Sequence, residues 1–337
     1  QREAFAWFPA DTNVVTGMEL RPPQATFRST EDLVSQLFAR MLSVRDREEL
    51  YRTAEAIGNV RLDCVTVGAA VDENGDSVRI AVRLSGAGDR KRIADFLVAT
   101  APGVAVKQEK GPKGEPITLL EGTKKGMPAL ALIGDSDVVL VVQADKGNTE
   151  ALRQVLEVRA GKQKGVPDGK LARLTLQAPR NARTVVAYEL SEKTLKKAFR
   201  HIEPLPAAPR DLLVYVTKGD PSDATKAGKL AIHFRGRMKD AEEAKVFAEA
   251  AGKLKQEGLK ALDNVPPQEK VPQAVIKAMK DTLSALKVEA SRGSVNGELT
   301  IANESALVEV LRWTMERRIE PPAPPERLPE KPPARPR

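Results

Sequence analysis

Segments in which apolar and polar residues alternate strictly, joined in pairs by short polar turns, occur in both halves of the chain. The clearest pair runs from Val65 to Val71 and returns from Val78 to Leu84, around a turn at residues 72–76 that contains Asn-Gly. A period of two residues is typical of a strand with one buried face, and Asn-Gly is typical of a hairpin turn. We therefore expect antiparallel sheets rather than a helical bundle.

Stretches with apolar residues three and four positions apart separate the hairpins and predict helices. Both halves read in the same order, and residues 148–156 and 303–311 share Asn, Ala, Leu, Val and Leu at matching positions. The sequence thus predicts an α+β protein of two related two-layer units, each with a mainly antiparallel sheet, helices on one face and the order β-α-ββ-α-ββ-α. We expect the units to superpose, with Val15 over Val185 and Leu152 over Leu307.

These patterns divide the chain into four regions. We expect a first α+β unit at residues 1–160, a basic linker at 161–178, a second α+β unit at 179–318 and a proline-rich disordered tail at 319–337. Eight prolines lie in the eighteen residues from Glu320 to Arg337. Proline lacks a backbone donor and fixes φ, so the tail is expected to have neither helix nor strand.

One strand departs from the alternation, because Val138 to Val142 is apolar at every position. A strand with one wet face would leave about half of these side chains in water, at roughly 1.5–3 kcal/mol for each Val or Leu. We therefore expect this strand to be central in its sheet. A helix should cover one of its faces, and the second unit or a partner chain the other.

The composition limits the possible chemistry. The single Cys cannot form a disulfide within the chain, and one Cys with two distant His cannot supply the usual ligands of a zinc site. No apolar run approaches the roughly 20 residues of a membrane span. Since no motif places a nucleophile beside a base, we predict no catalytic, cofactor-binding or metal-binding residues, and a hydrolase is the least favoured class.

Two motifs come close to known binding loops and fail at the decisive positions. The turn that begins at Asp72 has Ser77 and Arg83 where a calcium loop needs Gly and Glu. The segment from Gly165 to Lys170 is one residue short of a P-loop and is followed by Leu171 instead of Ser or Thr. Structural roles are expected for the other reactive side chains, Cys64, His201 and His233.

Basic residues exceed acidic ones by 54 to 46, which gives a net charge of +8. Between residues 159 and 183, seven cations face Asp168 alone, so this stretch carries 7 − 1 = +6. A basic stripe can bind phosphates by releasing counterions, although this one lacks aromatic side chains for stacking. It is either a solvated linker or a polyanion contact formed by Arg159, Lys162, Lys164, Lys170, Arg173, Arg180 and Arg183.

The chain opens with Phe8-Pro9-Ala10-Asp11-Thr12 before a short strand. This opening, with the layout of two repeats, resembles a large group of uncharacterised exported bacterial proteins. The resemblance implies a periplasmic or extracellular protein whose signal peptide has been removed, and it implies no enzyme class. A cytoplasmic location stays open as the alternative.

These observations favour a non-catalytic binding or structural component of the bacterial cell envelope that needs no cofactor. Its expected partner is another protein or an envelope polymer. The alternative is a polyanion-binding protein that uses the basic linker 159–183. A steep loss of binding with added salt would distinguish the alternative from the leading hypothesis.

Overall fold

The computed structural model describes residues 2–19, 61–75, 78–87, 89–100, 103–122, 128–143, 148–199, 208–218, 229–266 and 271–301. Within these residues twelve strands form one continuous sheet in which all neighbouring strands are antiparallel. The strands are β1 (Val14–Glu19), β2 (Arg61–Val71), β3 (Val78–Ala87), β4 (Val104–Lys110), β5 (Pro116–Gly122), β6 (Ala129–Ile133), β7 (Asp137–Gln143), β8 (Thr184–Glu189), β9 (Asp211–Lys218), β10 (Leu230–Arg237), β11 (Lys287–Ser291) and β12 (Ser294–Ile301).

Helices connect the strands and confirm the predicted α+β class. They are α1 (Arg2–Phe5), α2 (Arg90–Thr100), α3 (Asn148–Arg159), α4 (Ala172–Gln177), α5 (Glu192–Phe199), α6 (Ala241–Asp263) and α7 (Gln273–Ala285), with a 3₁₀ turn at Val166–Asp168. The N-terminus of α6 is capped by the Asp240 carboxylate, which accepts a hydrogen bond of 2.8 Å from the Glu243 N–H. Such a cap satisfies one of the backbone donors that the first turn leaves free.

On each side of the central β1–β8 pair, the strands follow one another in a similar order. From one edge to the other it is β11-β12-β10-β9-β8-β1-β2-β3-β7-β6-β5-β4. Outward from the centre, β1-β2-β3-β7-β6 therefore corresponds to β8-β9-β10-β12-β11. The β4–β5 hairpin adds two strands to the first half and was missing from the predicted order. Superposition of the two halves, residue on residue, stays a prediction.

The two halves are joined edge to edge. β1 and β8 pair from Val14↔Tyr188 to Met18↔Thr184, so both halves contribute to one sheet rather than to two separate sheets. This differs from the expectation that the second unit covers the strand at 138–142. That strand is central, as predicted, but Val142 is 41% exposed. Edge pairing satisfies the backbone groups of β1 and β8 and leaves the faces of the sheet free for other elements.

The two faces of the sheet are distinguished by strand register. Face 1 carries Val15, Ala81 and Val139, and face 2 carries Met18 and Ile80. On face 1 of the first half the main core forms under α3, with Leu152 and Val155 fully buried. On face 2 of the second half a smaller core forms, in which α6 and α7 lie over β11 and β12.

The N-terminal segment also lies on face 1. The ring of Phe8 is fully buried against Gly68, where a Cβ would come within 2.6 Å of the ring, so the sheet needs a glycine there. Gly17 makes the same room for Phe5, whose ring would lie 2.9 Å from an added Cβ. Phe5 and Phe8 are therefore part of the main core, and Trp7 packs against it.

The predicted basic linker at 161–178 is folded into the same core. Its Val166, Leu171 and Leu174 are buried, and its backbone pairs with the N-terminal segment, including a bridge between Pro9 and Gly165. The apolar residues of this stretch cover face 1 while its lysines and arginines point outward. A purely solvated linker is therefore not what this stretch forms.

Several predicted features lie outside the described residues. They are the two helices between β1 and β2, the helix that should begin at Asn303 and contain Leu307, residue His201, and the tail at 319–337.

Candidate functional site

Face 1 of the second half carries an open groove of about 340 Å³. It begins where the covering segment stops, because α4 ends at Gln177 and the adjacent Leu176 is exposed. The strands β9, β10, β12 and β11 form its floor, and all four are held in register by antiparallel pairing. The face-1 groove is lined by Gln177, Leu213, Tyr215, His233, Arg235, Lys287, Glu289, Asn296 and Glu298.

Strand register arranges the floor of this groove into two rows. In the first row Tyr215 pairs with His233, His233 with Glu298, and Glu298 with Lys287. In the second row the pairs link Leu213, Arg235, Asn296 and Glu289 in the same way. Neighbouring strands lie about 4.8 Å apart, and successive residues on one face lie about 6.8 Å apart along a strand. Each row therefore spans roughly 14 Å across four strands.

The aromatic end of the first row is fixed by stacking. The rings of Tyr215 and His233 lie 4.8 Å apart between centroids, at an angle of 21°. His233 Nε2 lies 3.4 Å from Thr217 Oγ1, which holds the imidazole on the same strand pair. The sequence placed His233 on the polar side of its strand and gave it a structural role. The structure adds that it lines the groove beside Tyr215.

The rest of the groove is polar and electrically balanced. Arg235 and Lys287 contribute two positive charges, and Glu289 and Glu298 contribute two negative charges, so the sum is 2 − 2 = 0 with neutral His. Together with the amides of Gln177 and Asn296, these groups supply both donors and acceptors of hydrogen bonds. Alternating signs along the floor suit an uncharged, hydroxyl-rich ligand better than a polyanion.

One end of the groove is anchored by a buried carboxylate. Asp211 is 3% exposed, and its Oδ2 contacts Arg237 Nε at 2.9 Å and Arg173 Nη2 at 3.1 Å. The Arg237 N–H donates a further hydrogen bond of 3.1 Å to Oδ1. Burial, together with the nearby Asp211 charge, raises the pKa of Tyr188 to about 12. The network ties α4 to β9 and β10 and so fixes the rim of the groove.

The structure does not gather the seven predicted polyanion contacts into one free basic surface. Arg159 forms an ion pair with Glu115 and lies 4.9 Å from the centre of the Trp7 ring. Arg173 is engaged with Asp211, and Arg183 is half-buried. The remaining four are exposed: Lys162, Lys164, Lys170 and Arg180.

A second, wider cleft of about 560 Å³ lies where the two halves join. Lys170 lines it together with Glu189 and the ion pair between Arg79 and Asp11. Arg79 also donates a hydrogen bond of 2.8 Å to Gln154 Oε1. These two partners hold the Arg79 guanidinium, which leaves it less available to a ligand.

The two failed motifs of the sequence have structural explanations. A Cβ on Gly165 would lie 2.6 Å from the Ala6 carbonyl oxygen, and one on Gly169 would lie 2.2 Å from that of Ala10. These glycines therefore admit the N-terminal segment rather than a phosphate. In the turn after β2, the Asp72 carbonyl accepts a hydrogen bond from Thr194 at 3.2 Å, which joins the turn to α5.

In the described ranges, no group of three or more His, Cys, Asp or Glu side chains could hold a metal ion. None of the helices described here has the length and apolar character needed to cross a membrane. The single Cys64 is half-buried on β2.

No protein-family model matches the chain, and no curated protein is significantly similar to it. Two solved structures, crystal forms I and III of TP0453, align with 92% and 91% of this chain and 97% of their own chains. Their sequence identity is 9% and their TM-scores are 0.44 and 0.45. At these values the similarity carries no argument about ligand or activity.

Proposed function

We propose that this protein is a non-catalytic binding component of the bacterial cell envelope and that it holds a carbohydrate chain of an envelope polymer in the face-1 groove. The observation that carries the proposal is the stacked pair of Tyr215 and His233 at the end of a polar, electrically neutral floor. Sugar rings present apolar C–H groups beside many hydroxyls. An aromatic surface next to amide, carboxylate and guanidinium groups complements both features.

The size and openness of the groove agree with this ligand. Its volume of about 340 Å³ lies at the lower end of the range of small-molecule sites. Each row of side chains crosses four strands, so a linear polymer could pass across the sheet and contact several residues in turn. Leu213 forms the apolar part of the floor, and Arg235 and Glu298 offer charged hydrogen bonds along the path.

The non-catalytic part of the proposal rests on the sequence, in which no motif places a nucleophile beside a base. The envelope location is supported by the resemblance of the opening Phe8–Thr12 to exported proteins. Fractionation of cells that express the complete natural gene tests it, and recovery with the cytosol would contradict it.

Co-sedimentation with purified, protein-free peptidoglycan tests the binding. Because a hydrogen bond to a charged group contributes about 1.5–3 kcal/mol, Arg235→Ala and Glu298→Ala should each weaken binding about tenfold or more. Tyr215→Leu removes the stacking ring and should weaken binding, whereas Tyr215→Phe keeps the ring and should not. Arg180→Ala, an exposed arginine outside the groove, is the matched control.

Three results would overturn parts of the proposal. Equal loss of binding in Arg180→Ala, with a steep dependence on salt, would favour the polyanion hypothesis over a neutral ligand. Release of reducing sugar ends during the incubation would show catalysis. Absence of binding to peptidoglycan and to soluble oligosaccharides derived from it would reject the carbohydrate ligand.

A further inference from the structure

β4 is an edge strand of the sheet, and its outer rim is open. Within the described part of the chain it pairs with β5 on one side, and the strand order ends there. Residues 106–110 are all exposed, and Val106 is 45% exposed. The side chains of Lys107 and Glu109 are 52% and 43% exposed. An open edge presents a row of backbone groups that can pair with another strand.

Hydrogen bonding in the β4–β5 hairpin fixes which backbone groups point outward. The Gly111 N–H donates a hydrogen bond of 2.8 Å to the Glu115 carbonyl, one residue past the end of β4. In an antiparallel pair, residues that bond to the neighbouring strand alternate with residues whose N–H and C=O point away from it. The odd-numbered residues of β4 therefore bond to β5, and Val106, Gln108 and Lys110 direct their N–H and C=O outward.

The sequence of this edge is complementary to itself. A second β4 that runs antiparallel about a two-fold axis through Gln108 places Lys107 opposite the second copy's Glu109, and Glu109 opposite the second copy's Lys107. Gln108 then faces its own copy, and Val106 faces Lys110. These outward residues form three pairs that exchange two hydrogen bonds each, and Lys107 and Glu109 lie between them, where opposite Cα atoms are about 4.5 Å apart.

Charge selects this register over its neighbours. Moving the axis by one residue to Lys107 would place two ammonium groups opposite each other, and moving it to Glu109 would do the same with two carboxylates. Like charges directly opposite each other destabilise a strand pair, whereas opposite charges stabilise it. The pattern Lys-Gln-Glu therefore fits a second copy of β4 in one register.

The groups around Lys107 and Glu109 extend the alternation of charge. Register places both residues on face 1, on the side of α3. Lys107 Nζ contacts Glu121 Oε2, and Arg153 Nη2 of α3 lies 3.6 Å from Glu109 Oε1. Across the axis the order of charged groups becomes Glu121, Lys107, the second copy's Glu109 and the second copy's Arg153, so that each charge has an opposite charge beside it.

On face 2 the axis passes beside the Gln108 amide. The Thr118 hydroxyl donates a hydrogen bond of 3.1 Å to Gln108 Oε1. An amide oxygen has a second lone pair, so each Gln108 can accept a further hydrogen bond from the N–H₂ group of the other copy's Gln108. The residue on the axis is thus a side chain that can bond to its own copy.

We propose that two copies of this protein associate through their β4 edges, antiparallel about an axis through Gln108, to form one continuous sheet. A contact in which the same residues of both copies face each other closes after two copies. β4 and the face-1 groove lie at opposite ends of the strand order, so the contact leaves both grooves free. The inference is therefore independent of the proposed function.

Sedimentation velocity of the full chain over a range of concentrations tests the contact. We expect the mass to rise with concentration from that of one chain, 36.6 kDa, to that of two. Lys107→Glu and Glu109→Lys should each weaken the dimer about tenfold, because each makes two symmetry-related pairs repulsive. An equimolar mixture of the two variants should restore the affinity, because every charged pair across the axis is then of opposite sign. Lys113→Glu, the same change of charge in the exposed turn after β4, is the matched control and should leave the dimer unchanged.

Cross-linking reports the register directly. In a Cys64→Ser background, Gln108→Cys places two thiols at the axis, with Cα atoms about 5.5 Å apart, which a disulfide can span. Mild oxidation should yield a covalent dimer, whereas Lys113→Cys should yield none. Circular dichroism checks that each variant is folded.

Each other outcome contradicts the pairing of two β4 strands. One chain mass at every concentration, without a disulfide from Gln108→Cys, would mean that the charged edge keeps other strands away. A mixture no tighter than its separate variants would reject the register through Gln108. Masses that grow beyond two chains would indicate that β4 pairs with the other edge strand, β11, whose Lys287 and Glu289 have the same spacing, in an assembly that does not close.

Discussion

The two halves of the sheet share a strand order, but α3 covers face 1 of the first half, whereas α6 and α7 cover face 2 of the second. In the first half, α3 and the N-terminal segment cover face 1, where Val139 and Val141 are fully buried. In the second half, α6 and α7 cover face 2, and face 1 carries the groove. The strand order alone therefore does not decide where helices dock or where a ligand could bind. The distribution of apolar side chains between the two faces decides both.

The equivalent strands β7 and β12 show how sequence produces this difference. β7 places Val139 and Val141 on face 1, whereas β12 places Asn296 and Glu298 there. On face 2 both strands are mainly apolar. A face that carries polar instead of apolar side chains stays exposed to solvent, because burying polar groups without partners under a helix costs free energy. The same strand order can thus support a core on one face and an open groove on the other.

The largest effect should come from a charge placed on face 1 of the first half. Val139→Asp puts an unpaired carboxylate under α3 at a position with 0% exposure. We expect it to lower the free energy of unfolding by about 4 kcal/mol or more. Urea denaturation followed by circular dichroism measures the change.

The matched change in the second half is Asn296→Asp, on the same face of the equivalent strand β12. Since Asn296 lies on the open floor of the groove, its effect should stay within about 0.5 kcal/mol. Similar losses for the two variants would mean that face 1 of the second half is also covered, and the contrast between the halves would fail.

A smaller effect should come from truncating the cover of face 2 in the second half. Phe247 on α6 packs with Met238, Ala244 and Val295, so Phe247→Ala should cost about 3 kcal/mol. Val246→Ala, one position earlier on the same helix and 39% exposed, is the control and should cost less than 1 kcal/mol. Chemical denaturation of both variants gives the comparison. Equal, small losses would show that α6 does not hold this core.

The sequence predicts much of this fold because alternation is a local signal. The hairpins β2–β3 and β6–β7, and the helix α6 that follows its cap Asp240, can be predicted from residues close together in the chain. The β4–β5 hairpin was missed because Lys107-Gln108-Glu109 at the sheet edge interrupts the alternation, and β4 is largely exposed. The joining of both halves through β1 and β8 was missed because pairing between distant strands leaves no local pattern.

The candidate site was less accessible to sequence reasoning. Tyr215, His233 and Glu298 come from three strands, and only register brings them into one row. Their polar side could be read from alternation, but whether a helix covers that side depends on tertiary packing. For the cations at 159–183, sequence reasoning failed in the opposite way, because it grouped residues that the fold separates. They are close in sequence, yet the fold pairs Arg159 and Arg173 with separate carboxylates in different halves.

Each half contains a shielded carboxylate that is paired with arginine, and Glu115 in the first half allows a test by pH. The pKa of the Glu115 carboxyl lies below its ordinary value. Burial by itself would raise this pKa, but the hydrogen bonds from the backbone N–H groups of Glu115 and Lys113 and the nearby Arg159 guanidinium lower it by more. The second half instead holds Asp211 between Arg173 and Arg237.

The smallest expected effect is a change in the acid limb of stability caused by Glu115→Gln. Because the folded-state pKa of Glu115 is lowered, its contribution is fully present above the unfolded value of 4.5 and is lost as the pH falls through the folded value. Glu115→Gln removes this proton uptake, so the urea midpoint should fall less steeply below about pH 4.5 than in the unaltered protein. Glu109→Gln, at a glutamate that is 43% exposed and lies outside the pair of Glu115 with Arg159, is the matched control. Identical acid limbs for the unaltered protein and Glu115→Gln would mean that the pair with Arg159 does not stabilise the first half.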